Sequence, residues 1–177
     1  MVSIYDMKKR GQFYLITTII IITMIAGLVI VSNYSRERSN IRLDYLGEEL
    51  GIESEKVLDY GIKNDKNIKD LLENFTKTYS VYSSAENLYF IFGNENEITL
   101  AGYKKLNSGS IFIDIGSGNE VLNLNKEEYN SRSFSSPTES IKVTVDDIEY
   151  AFTINPGENF YFILSKEING EKYILKK

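Results

Sequence analysis

A chain of 177 residues, 42% apolar and 25% charged, has room for one modest globular domain and one further segment, and its net charge of −5 offers no basic face to nucleic-acid phosphates. It has no cysteine and no histidine. Disulfides, Cys/His zinc sites, thiol nucleophiles and His-based triads are therefore excluded, and any catalysis would rest on carboxylate, Lys, Tyr or Ser groups.

Residues 1–12 form a short basic leader, with Lys8, Lys9 and Arg10 at its end. Residues 13–31, "FYLITTIIIITMIAGLVIV", carry no charge. As a helix this run is about 28 Å long, close to the ~30 Å hydrocarbon core of a bilayer. Its Thr17, Thr18 and Thr23 can return hydroxyl hydrogen bonds to the helix backbone. The expectation is a transmembrane helix with the lipid bilayer as its partner. The compact basic cluster before the span outweighs Arg36, Arg38 and Arg42, which lie further off and are mixed with Glu37. That asymmetry places the N-terminus in the cytoplasm and the C-terminal domain outside the membrane. The apolar run exceeds the usual signal-peptide core and lacks a small-x-small site at its far end, so it reads as an anchor that is retained.

Residues 32–86 read as a helical neck. Ile41, Tyr45, Leu46 and Leu50 fall at helical spacing, and Gly51 is placed to close or kink that helix. Val57, Leu58 and Ile62 continue the pattern. Ile68, Leu71, Leu72, Phe75 and Tyr79 repeat it more cleanly, with Asn64 or Asp65 as the cap. The heptad is not sustained, so two or three short amphipathic helices are expected rather than a coiled-coil stalk.

Residues 87–177 read as strands, in keeping with 13 Tyr and 9 Phe. "NLYFIFG" pairs with "NEITLAGYKK" across "GNENE", and "GSIFIDI" follows. "SIKVTV" and "IEYAFTI" flank Asp146-Asp147, and "NFYFILSKE" and "EKYILKK" flank Asn169-Gly170, both hairpin signals. "NSRSFSSPTES", residues 130–140, reads as an exposed loop. Seven or eight strands are expected. The fold class is α+β: an N-terminal transmembrane helix, short amphipathic helices, then an antiparallel β-sheet or small β-sandwich.

"IFIDIGSGNE", residues 111–120, resembles the first motif of Rossmann-type methyltransferases. That fold needs alternating strands and helices around a parallel sheet, whereas the residues after Gly118 show hairpins. The motif therefore reads as a strand ending in a tight turn, with Gly116 and Gly118 at positive φ and Asp114 on the solvent face.

"KKRGQF", residues 8–13, placed directly before the apolar run, resembles the processing site of archaeal type IV prepilins and archaellins. The resemblance implies a cut between Gly11 and Gln12, with Arg10, Gly11 and Gln12 as the processing site. It also implies a prepilin-type peptidase as partner and self-assembly through the transmembrane helix. Ile16 stands at the fifth position after that cut, where the family often has Glu. The same residues also fit a plain signal anchor, and the beginning of the chain is similar to uncharacterised archaeal single-pass membrane proteins.

Glu48, Glu49, Glu53 and Glu55 could do acid–base work or hold Ca²⁺, but a solvated helix face accounts for them. Asp146, Asp147 and Glu149, and the oxygen-rich "GNENE", read as turns. Asn33 and Asn74 begin N-glycosylation triplets. No catalytic set, metal, cofactor or nucleic-acid partner is expected. Two functions stay open: a structural or adhesive pilin-like surface subunit, and an unprocessed single-pass protein whose exterior domain binds a ligand or partner protein.

Overall fold

Two helices and nine strands follow one another among the described residues of the computed structural model, which are 4–83, 87–135, 137–168 and 171–177. Within them, the side chains of residues 4–13, 15, 31–42, 168 and 171 lie outside the described set. The chain divides into two compact units, Met1–Ile41 and Arg42–Lys177. Helix α1 is Ile4–Lys63. In the first unit, the described side chains of α1, Tyr14 and residues 16–30, are all exposed.

In the second unit α1 continues unbroken through Gly51, so the expected series of short helices is one helix up to Lys63. Its end is satisfied by Asn64, whose Nδ2 donates to Tyr60 O at 2.8 Å, and Asp65 then turns left-handed at φ 49°. Neither residue begins the next helix. α2, Ile68–Tyr82, is capped by Asn67, whose side chain accepts from Asp70 N at 3.3 Å. Asn64 and Asp65 belong to the exit turn of α1, which is why the expected cap shifts to Asn67.

The strands are β1 Asn87–Gly93, β2 Glu97–Lys104, β3 Gly109–Asp114, β4 Asn119–Leu124, β5 Tyr129–Ser135, β6 Ser140–Val145, β7 Ile148–Thr153, β8 Asn159–Ile168 and β9 Glu171–Lys176. They form two antiparallel sheets, a five-stranded one in the order β5-β2-β1-β8-β9 and a four-stranded one in the order β4-β3-β6-β7. Two strands correct the sequence reading. β5 occupies residues read as loop, and β4 was not anticipated. β5 is polar because it docks α2 through hydroxyls: Ser131 Oγ donates to Glu73 Oε1 at 2.5 Å, and Tyr129 OH lies 2.6 Å from Thr76 Oγ1.

The five-stranded sheet is covered on both faces, which explains the unbroken apolar run of β1. Leu88, Phe90 and Phe92 pack with Leu43 and Leu50 of α1 and Leu72 and Tyr79 of α2. Tyr89 and Ile91 point the other way, onto Ile111, Ile113 and Val143 of the four-stranded sheet. β3 instead alternates: Ile111 and Ile113 are buried, Phe112 and Asp114 exposed.

Edge-strand carbonyls of the four-stranded sheet are taken by side chains from the other sheet. Lys176 Nζ donates to Ala151 O at 2.6 Å and Tyr161 OH to Thr153 O at 2.5 Å, both on β7. Arg132 Nη1 donates to Val121 O of β4 at 3.3 Å. Acceptors occupied in this way are withdrawn from pairing with another chain.

Gly93 closes β1 at φ 134°, and a Cβ there would collide with the carbonyl oxygen of Glu97. Gly93→Ala is expected to cost roughly 2–3 kcal/mol, because both the backbone conformation and the space exclude a side chain. Denaturant titration of the full chain in detergent checks this. A loss below about 0.5 kcal/mol, typical of an unconstrained surface change, would contradict it.

Candidate functional site

The most unusual surface belongs to the first unit. A run of Ile, Leu, Val and Met favours helix when its side chains are accommodated all round, since no polar face competes for solvent. Here Met24 is 68% exposed, Leu28 72% and Ile30 68%. Two hydroxyls of this stretch are satisfied within the helix. Thr18 Oγ1 donates to Tyr14 O at 2.8 Å, and Thr23 Oγ1 lies 3.0 Å from Ile19 O and 2.9 Å from Ile20 O. Among the described residues, no helix is long and apolar enough to cross a membrane. The expected span, residues 13–31, includes Phe13, Leu15 and Val31, whose side chains lie outside the described residues.

The other expected sites are placed as follows. Arg10, Gly11 and Gln12 lie in α1, and so does Asn33; their side chains are outside the described residues. Asn74 is exposed on α2, but the Thr76 of its triplet is buried, with its hydroxyl donating to Leu72 O at 2.8 Å. Glu53 pairs with Lys56 at 2.9 Å on the surface of α1. Among the described residues, no group of three or more acidic side chains could hold a metal ion. The oxygens of "GNENE" serve the turn: Asn94 Oδ1 accepts from Asn96 N and Glu97 N at 3.0 and 3.2 Å. Glu95 accepts from Gly157 N at 2.9 Å, and backbone donors, its own and that of Gly157, hold its carboxyl below the usual range. In "IFIDIGSGNE", Asp114 is exposed and Gly116 has φ 83°, as expected. Gly118 does not take the left-handed conformation expected of it, because the turn closes through Ile115 N donating to Gly118 O at 3.2 Å with Gly116 alone left-handed.

One polar constellation had no sequence signal beyond its turn. Asp146 and Asp147 make the tight β6–β7 turn with φ 47° and 66°. That geometry aims the Asp146 carboxylate at the five-stranded sheet. Lys104 Nζ of β2 meets Oδ1 at 3.0 Å and Lys172 Nζ of β9 meets Oδ2 at 2.6 Å. Tyr89 OH of β1 donates to Oδ2 at 3.4 Å. Burial pushes the Asp146 carboxyl up, but the hydrogen bonds and charges of Lys172 and Lys104 outweigh it, and the group titrates below its ordinary value. The Tyr89 phenol is pushed up, by burial first and then by the Asp146 charge. Tyr150 moves the same way for the same two reasons. Lys104 is buried at 8% exposure while Asp146 keeps part of its surface open, so the arrangement joins the two sheets by an ion pair partly shielded from water.

No family model, no curated protein and no solved structure matches the chain.

Proposed function

We propose that the chain is a non-enzymatic surface protein, anchored in the membrane by residues 13–31, with its N-terminus in the cytoplasm and residues from about 32 onward outside. What carries this reading is the helix surface of residues 16–30: fifteen consecutive exposed positions without a charge, with Thr18 and Thr23 bonded back to the backbone. A helix that is uncharged all round, with hydroxyls such as those of Thr18 and Thr23 bonded internally, suits hydrocarbon or other copies of itself and is poorly suited to water. The basic cluster Lys8-Lys9-Arg10 favours the stated orientation.

Within this reading, the pilin-like version has a peptidase cut between Gly11 and Gln12 and assembly of subunits through the apolar helix. The other version leaves the anchor uncut and gives the α+β unit a ligand or partner protein. The full chain, made in a membrane-bearing host, tests both levels. It is expected to stay in the membrane pellet through an alkaline carbonate wash, with the second unit open to protease added outside the cell. Release by carbonate would sink the anchor reading. N-terminal sequencing of the pelleted chain then separates the versions. A start at Gln12 supports the pilin-like one, and a start at Met1 or Val2 rejects it.

A further inference from the structure

Gly51 was expected to close or kink a helix; instead the helix runs through it and it lines a groove. Glu48, Gly51 and Glu55 lie three and four residues apart, on one face of α1. Beneath them are Phe160 and Phe162 of β8, and together these residues line a groove of ≈ 380 Å³ within the second unit. Phe162 is buried and Phe160 half-buried, and Phe160 is in ring contact with Phe75, Phe90 and Phe92. The floor is therefore a fixed aromatic surface. The rim is acidic: Glu48 and Glu55 are exposed, and among the described residues neither takes part in an ion pair.

Lys177 also lines this groove. Its backbone is fixed to β8, with Phe162 N donating to Lys177 O at 3.0 Å and Lys177 N to Phe162 O at 3.2 Å. Its Nζ comes 3.4 Å from where a Cβ on Gly51 would stand. The space left by the missing side chain thus already admits an aliphatic chain tipped with an ammonium group.

We propose that this groove binds a lysine side chain presented by a partner polypeptide. An anion would meet two carboxylates. A wholly apolar ligand would bury next to them with nothing to offer their charge. A run of methylenes over the half-buried Phe160, ending in an ammonium between Glu48 and Glu55, satisfies floor and rim together. Lys177 competes for the same place from within the chain. The proposal gives the second unit a ligand class and stands apart from the anchor reading, so failure of one leaves the other intact.

The test is an NMR titration of the full chain in detergent micelles with N-acetyl-lysine methylamide, following the Gly51 amide and the Phe160 and Phe162 rings. N-acetyl-norleucine methylamide serves as the uncharged control and cadaverine as a free diamine. A saturable shift with the lysine compound and none with the norleucine compound is expected. Glu48→Gln combined with Glu55→Gln, both on the exposed helix surface, is expected to weaken binding about tenfold or more, as for loss of a charge-assisted hydrogen bond. Lys177→Ala is expected to tighten it, because the internal competitor is gone. Absence of a saturable shift, an equal response to the norleucine compound, binding of cadaverine alone, or indifference to the Gln pair would each overturn the proposal.

Discussion

Ile22→Lys is expected to shift the full chain from the carbonate-resistant pellet into the soluble or aggregated fraction. A lysine at the centre of a membrane helix costs roughly 2.5–3.5 kcal/mol of insertion free energy, about two orders of magnitude in the equilibrium. Ile22 sits midway along the apolar run and is 59% exposed, so the change removes no packing contact inside the protein. The second unit should keep its fold, with its tyrosine near-UV signal unchanged. Ile16→Lys, nearer the basic leader, should do much less, because its ammonium can reach the interface. If Ile22→Lys pellets and resists carbonate as well as the parent chain, lipid is not what the apolar helix needs.

The second large effect is expected at Asp146. Asp146→Ala removes the carboxylate that meets both Lys104 and Lys172, leaving the nearly buried Lys104 ammonium without that partner. Breaking a buried pair from one side costs roughly 3–5 kcal/mol. Asp146 retains 29% side-chain exposure, so roughly 2–4 kcal/mol is the expectation once solvent screening is discounted. Adding Lys104→Met should recover much of the loss, because the stranded charge goes with it; if the double variant is as unstable as the single, the pairing is not the cause. The pH dependence has a definite sign. The folded Asp146 carboxyl titrates below its unfolded value, so its contribution is present above about pH 4 and is lost as the pH falls through the folded value. The acid limb of the stability curve should flatten in the Asp146→Ala variant. At the other end, burial pushes up the phenols of Tyr79, Tyr89 and Tyr129, the last to about 12. Their contribution is full below about pH 10 and declines as the pH rises through the folded values.

Much of the β-unit was legible because its signals are local. The β6–β7 hairpin follows from Asp-Asp between two alternating runs, and β1 and β8 from dense aromatic stretches. β4 and β5 were illegible for a physical reason. Their sequences, "NEVLNL" and "YNSRSFS", bury only Leu122 and Leu124 in the one and Phe134 in the other. β5 contacts α2 through hydroxyls that look like loop chemistry. The unbroken α1 was hidden by its glycines. Gly51 reads as a place to close or kink the helix, yet the helix runs through it, and Gly47 one turn earlier is a site of close approach: a Cβ there would collide with the Leu175 side chain. The Asp146 constellation was hidden more deeply. Tyr89, Lys104, Asp146 and Lys172 lie on β1, β2, the β6–β7 turn and β9, and only the register of both sheets brings them together.

The place of β1 in its sheet sets a timetable. One neighbour, β2, is next in the chain, but the other is β8, where Phe162 stands opposite Phe90. All four strands of the other sheet are encoded between β2 and β8. Closing so long a loop is entropically costly, and distant strand pairing makes folding slow. Until residues 159–168 have left the ribosome, β1 has one open edge and its phenylalanines lack their β8 neighbours, a condition that invites aggregation. A chain cut short before β8 should therefore lose the whole β-unit rather than a few strands. Under the proposed anchor reading the same order would be an advantage: a chain that cannot finish folding before β8 is made would have nothing to unfold in order to cross a membrane.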